Sequence, residues 1–328
     1  MKKTFLVIGA VCISAVLVSW GIFGHEHINK GAVLALPQPM QTFFYNHIDF
    51  VTQESTVPDL RKYTLSDKAE NPRHFIDLEN FGSMDSLPKT MSEAKAKYDD
   101  KFLSANGFLP WYIEEMMEKL TKSMKEKRKT EILFIAADLG HYIGDAHMPF
   151  HTSANHDGQK TNQKGIHALW EAQLPEMFGS KYNLYCGDAK YIDNVHNEIW
   201  NIINSSHALV AKTLDIEMEL RKKMGEAKMY KKDEKGEVMK NKFRSSIFSD
   251  EYATALHTNL QGMVENQMKL STKSVASFWY TAWVNAGKPD LNDLDSKEVT
   301  DRNSKLMKDD LKEWKAGKLF GMEGEKEF

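Results

Sequence analysis

One stretch constrains this chain more than any other: residues 138–171, DLGHYIGDAHMPFHTSANHDGQKTNQKGIHALWE. It sets His141 and Asp145 four apart, then His151, then His167 and Glu171 four apart. Residues i and i+4 of a helix lie one turn apart on the same face, so each pair can offer an imidazole and a carboxylate to one metal ion. Pro149 breaks the first helix just after its pair, which lets His151 turn back towards the same point. Imidazole and carboxylate donors suit zinc, whose softer sites would call for cysteine. A single His-x-x-x-Asp is ordinarily a cap or a salt bridge. Two such pairs around a third histidine point to a multinuclear zinc site.

The N-terminus sets the compartment. Met1-Lys2-Lys3 precedes an apolar run from Phe5 to Val18, then Ser19 and Trp20. A basic start and an apolar stretch short for a membrane span read as a secretory signal over residues 1–19, with a retained single-pass anchor as the alternative. Secretion or periplasmic delivery is expected. Removing 1–19 takes away two lysines and no acids, so the charge goes from −3 to 41 − 46 = −5. Such a protein does not grip nucleic acid by bulk charge, and a phosphate-bearing substrate has to be attracted locally. Only Cys186 of the two cysteines then remains, which excludes an intramolecular disulfide. With 41% hydrophobic and 11% aromatic residues, the chain has enough apolar material for a substantial core.

Helical periodicity runs through most of the chain. Ile28, Ala32, Val33 and Leu36 form one stripe, and Met40, Phe43, Phe44, His47, Ile48 and Val51 suggest a second helix. Residues 55–90 carry turn chemistry and little period. Pro110 opens a helix bearing Ile113, Met116, Met117, Leu120 and Met124. Helical period returns over 190–222, a lysine-rich exposed loop follows over 223–247, and one long helix is expected from Tyr252 to Ala286. No segment alternates as a strand would, and no GxGxxG or P-loop occurs. The expectation is one all-α, multi-helix domain over 20–290, followed by a charged tail over 291–328 that is a surface helix or frays.

The segment from His141 to His151, HYIGDAHMPFH, closely resembles the signature of bacterial zinc-dependent phospholipases C, whose superfamily includes the single-strand-specific zinc nucleases (three-prime nucleotidase/nucleases). The resemblance covers most of the mature chain and implies an all-helical fold with three zinc ions. It implies that Asp59, His74, His141 and Asp145 hold one zinc, and that His151, His167 and Glu171 hold a second. A third goes to His25, the other oxygen of Asp145, and the amino group and carbonyl of Trp20, freed by signal cleavage. It further implies catalytic roles for Asp59, Lys62 and Asp145, with Lys62 contacting the transition-state phosphate. A metal pair of this kind activates water near neutral pH and polarises a phosphodiester.

The spacing from Trp20 to His25, the 15-residue step from Asp59 to His74, and Lys62 resemble the nucleases. Glu171 resembles the phospholipases, since nucleases normally carry aspartate there, and the GGN that nucleases place before the last histidine is missing. In a nuclease, Phe75 stacks a base and Asp77 bonds its edge; Phe75 as core is the alternative. The expected substrate is single-stranded nucleic acid or a nucleotide, with phospholipid as the alternative. A non-catalytic zinc-binding surface protein is the remote reading. No obligate protein partner is evident. The remaining histidines are expected to be structural or exposed, with His147 nearest the site.

Overall fold

The computed structural model describes residues 21–83, 86–240 and 246–318. Residues 1–20, which hold the expected signal segment and Trp20, lie outside them, as do residues 319–328. The chain opens with α1 (Gly21–Ala35), α2 (Met40–Tyr45), α3 (Ile48–Glu54) and α4 (Val57–Tyr63). After short 3-10 turns come α5 (Met91–Lys97), α6 (Asp100–Asn106), α7 (Leu109–Lys125) and α8 (Lys129–His147). Then follow α9 (Ile166–Ala168), a π turn (Leu169–Gln173), α10 (Leu174–Phe178), α11 (Val195–Met224), α12 (Asp250–Asn259), α13 (Met263–Asn285) and α14 (Lys297–Lys315). Among the described residues β-structure is limited to isolated bridges, so the fold is all-α.

Helix α8 is the axis of the molecule, packed against α1, α3, α7, α11 and α13. Its sequence explains that position. Ile132, Leu133, Ala136, Ala137, Leu139, Gly140, Ile143 and Ala146 are buried around nearly its whole circumference, as expected of a central helix. The small residues admit close neighbours. The Trp279 indole reaches in from α13 and donates to the Ala136 carbonyl at 3.0 Å. A Cβ on Gly140 would meet the Asn29 side chain at 2.0–2.8 Å. That buried Asn29, on α1, donates to the carbonyls of Val51 on α3 and Ala137 on α8, each at 3.2 Å, and so ties three helices together. Helix α7 is amphipathic, with Pro110 in its first turn and Trp111, Ile113, Met116, Met117, Leu120 and Met124 facing inward.

Several boundaries differ from the sequence reading. Residues 40–51 form two helices, broken at Asn46 and His47. The turn-rich stretch after 55 contains α4, whose Pro58 starts a helix rather than interrupting one. The single helix expected from Tyr252 to Ala286 is two, because Gln261 and Gly262 adopt φ of 51° and 79°. Within the lysine-rich loop, Tyr230 pairs with Phe248, Lys232 with Val238, and Lys240 with Ser246. The charged segment after 290 forms α14, capped by Ser296. Its Trp314 is buried beside Gly31 and Tyr185, and Tyr45 donates to Asp310 at 2.9 Å. The buried carboxylate of Asp295 accepts from Lys129 (2.6 Å) and Asn46 (3.0 Å) and lies 2.8 Å from His47.

Candidate metal centre

Eight of the nine ligands expected from the sequence converge around the end of α8; the ninth, Trp20, lies outside the described residues. Helix α8 carries His141 and Asp145, one turn apart as their spacing requires. It ends at His147, and Pro149 opens a 3-10 turn over Pro149–Thr152 that brings His151 back. His25 comes from the first turns of α1 and Asp59 from α4, while His74 closes a 3-10 turn. His167 sits in α9 and Glu171 in the π turn. Pro175 accounts for that turn in part: it has no N–H to give the Glu171 carbonyl four residues back, and its ring would crowd it.

Three groups result, the first two sharing His141: His25, His141 and Asp145; Asp59, His74 and His141; and His151, His167 and Glu171. In each, the candidate ligand atoms lie within 4.8 Å of one another. Asp145 stands where they meet. Its Oδ2 is 2.9 Å from His74 Nδ1 and 3.2 Å from His141 Nε2, while Oδ1 is 3.6 Å from His25 Nε2 and from His151 Nδ1. Glu171 spans the third group, 3.2 Å from His151 Nε2 and 2.7 Å from His167 Nε2.

The imidazoles are aimed by the backbone. His141 Nδ1 bonds the Ser55 carbonyl at 2.8 Å, His151 Nδ1 that of His74 at 2.6 Å, and His167 Nδ1 that of His156 at 2.9 Å. A proton fixed on Nδ1 leaves Nε2 as the free donor. Both ring nitrogens of His25 and both carboxylate oxygens of Asp59 are buried and, among the described residues, without a hydrogen-bond partner. Orphaned polar atoms at such depth are costly, and a cation bound in each residue's own donor group satisfies them. The nitrogen-and-oxygen donor set fits zinc.

Electrostatics agree. Burial and the adjacent His141 ring, stacked at 3.9 Å, hold His25 well below its ordinary pKa, which favours the neutral imidazole. Burial opposes the charge on Asp145, yet His141 and His151 hold it well below the carboxylate range. Burial likewise opposes Glu171, and His151 and His167 keep it low. Asp59 goes the other way, raised by burial. Burial works against the charge of Lys62, but Tyr63, Asp59 and Asp145 raise its pKa, so it stays an ammonium, lying 4.7 Å over the Tyr63 ring.

Phe75 and Asp77 are the less buried positions between the buried His74, Ile76 and Leu78, in the short link between two 3-10 turns. That segment runs beside His151, with the Ile76 N–H donating to the His151 carbonyl at 2.8 Å. Phe75 is half-buried and stands outside the hydrophobic core. Burial and the neighbouring Glu79 raise Asp77 to about 6. His147 turns to Ser274 on α13, at 2.9 Å, rather than to a ligand. The sequence reading missed Glu70, which is fully buried behind His74 and bound by Tyr142, Arg61 and Arg73. Its only signal was a spacing of four from His74.

A model of the S1/P1 nuclease family matches residues 20–282. The chain belongs to the S1/P1 nuclease family. Among solved structures, alpha-toxin from an avian strain of Clostridium perfringens is similar over 81% of this chain, at 14% identity and a TM-score of 0.46. The chain spans 65% of that protein's length. No curated protein matches it. Among the described residues no helix is long and apolar enough to cross a membrane.

Proposed function

We propose that the chain is a secreted nuclease that holds three zinc ions and hydrolyses single-stranded DNA, RNA and nucleotides. The observation that carries the count is Asp145, whose two oxygens face different histidines at the junction of three donor groups. Asp59, His74, His141 and Asp145 would hold one ion, and His151, His167 and Glu171 a second. His25 and Asp145, with the freed amine and carbonyl of Trp20, would hold the third. The family match beginning at residue 20 supports cleavage of residues 1–19. When bound, zinc supplies Lewis acidity that activates water and draws charge from phosphoryl oxygens.

The chain's own groups do the rest. Asp59, whose pKa burial raises, would accept a proton, and Asp145, kept charged by His141 and His151, would hold the donor groups in register. Lys62 brings an ammonium to the non-bridging oxygens, where negative charge develops in the transition state. Phe75 offers a ring face to a base, a contact worth roughly 1–3 kcal/mol, and Asp77 offers an acceptor to the base edge. Local charge thus replaces bulk charge in a chain whose net charge is negative with or without residues 1–19. Phospholipid head groups are the second reading, favoured by Glu171 where nucleases normally have aspartate. Zinc-loaded mature protein offered single-stranded DNA, RNA and phosphatidylcholine side by side decides between them. Nucleic-acid cleavage is expected, and hydrolysis of lipid alone would overturn it.

A further inference from the structure

Four histidines at the centre have a polar neighbour on each side of the ring, and one of them is turned round. His141, His151 and His167 give Nδ1 to a backbone carbonyl and present Nε2 inward. His74 presents Nδ1 instead, 2.9 Å from Asp145 and 3.6 Å from Asp59, and its Nε2 lies 3.4 Å from Glu70 Oε1. Where the other three meet a neutral carbonyl, His74 meets a fully buried carboxylate.

We infer that Glu70 is a positioning residue that selects the metal-binding tautomer of His74. The inference rests on His74 being a zinc ligand. A neutral imidazole carries one N–H. With that proton on Nδ1 the ring donates to Asp145 and has no lone pair facing the centre. With the proton on Nε2 the lone pair faces inward, and the N–H meets Glu70 Oε1 at 3.4 Å, a charge contact rather than an aligned hydrogen bond in this structure. The surroundings of Glu70 fit the task. Its Oε2 accepts from Arg61 Nε at 3.1 Å and Arg73 at 2.8 Å, which compensates the buried charge. Tyr142 donates to Oε1 and so fixes the carboxylate plane. Arg61 is in turn held by Asp138 at 2.7 Å. The structure thus keeps a charged acceptor behind the one of these four rings that has no carbonyl there. Carboxylates behind metal-bound histidines commonly change metal affinity about 10- to 100-fold.

The test uses the full mature protein and the variants Glu70→Gln, Tyr142→Phe and His74→Ala, with zinc affinity measured by competition with a chromophoric chelator. Histidine labelled with 15N reports the His74 tautomer by NMR. Expected are an Nε2-protonated His74 in the zinc-loaded wild type and a roughly 10- to 100-fold weaker zinc affinity in Glu70→Gln. Tyr142→Phe, which strips a donor from Glu70 but leaves the carboxylate behind the ring, should bind zinc nearly as wild type does. Wild-type affinity in Glu70→Gln, or an equal loss in Tyr142→Phe, would overturn the assignment. If Glu70→Gln does not fold, an Nδ1-protonated His74 in the zinc-loaded wild type overturns it equally. Undiminished zinc binding in His74→Ala would instead refute the ligand reading itself.

Discussion

Gly140 offers a test in which two ordinary effects have opposite signs. In an unobstructed helix, Gly→Ala stabilises by about 0.8–1.0 kcal/mol. At Gly140 the new methyl would stand 2.0 Å from Asn29 Oδ1, 2.7 Å from its Cγ and 2.8 Å from its Nδ2. Asn29 cannot step aside freely, because it is buried and donates to Val51 and Ala137. Losing those two bonds costs about 0.5–1.5 kcal/mol each, and overpacking adds roughly 1–3 kcal/mol. Less the propensity gain, Gly140→Ala should destabilise by roughly 1–5 kcal/mol. In an Asn29→Ala background the obstruction is gone, and the same substitution should stabilise by up to about 1 kcal/mol. Urea midpoints of the four metal-free proteins close the cycle. A wild-type or higher midpoint for Gly140→Ala alone would refute the argument that Asn29 locks α1 to α8.

Asp145→Asn should lose both zinc and activity, because it removes the charge shared by three donor groups; metal analysis showing wild-type stoichiometry would exclude the shared role. A protein with one extra residue before Trp20 should bind one zinc fewer, and three ions per chain by metal analysis would rule out the terminal amine as a ligand. Burial opposes the charge of Asp295, yet bonds from Lys129, Asn46 and His47 hold its pKa below the ordinary value. The unfolded chain therefore binds the proton first, so this stability is complete above a pH of about 4 and fades below it. Urea midpoints should show Asp295→Asn less stable than wild type at pH 7 with the gap narrowing at pH 3; a constant gap contradicts the sign.

What could be read from the sequence was what is local. His141 with Asp145, and His167 with Glu171, needed only the helical repeat, and Pro149 announced the turn that returns His151. Joining them to His25, Asp59 and His74 required the family resemblance, since no periodicity spans those separations. Glu70 went unremarked because an isolated carboxylate four residues from a histidine is commonplace, and only burial with two arginines makes it distinctive. The break before α13 depends on a backbone twist at Gln261, a residue type that gives no warning of it. Docking of α14 hung on one tryptophan in an otherwise charged run, where composition argued for solvent.

The eight described donor side chains all lie between His25 and Glu171, while α11 and α13, which enclose α8 from outside, come later and donate none. A fragment ending near residue 180 would possess the complete set of donor side chains and still lack the walls that hold them still. Tight capture of metal then belongs to the finished architecture: the second half of the polypeptide contributes rigidity where the first contributes chemistry.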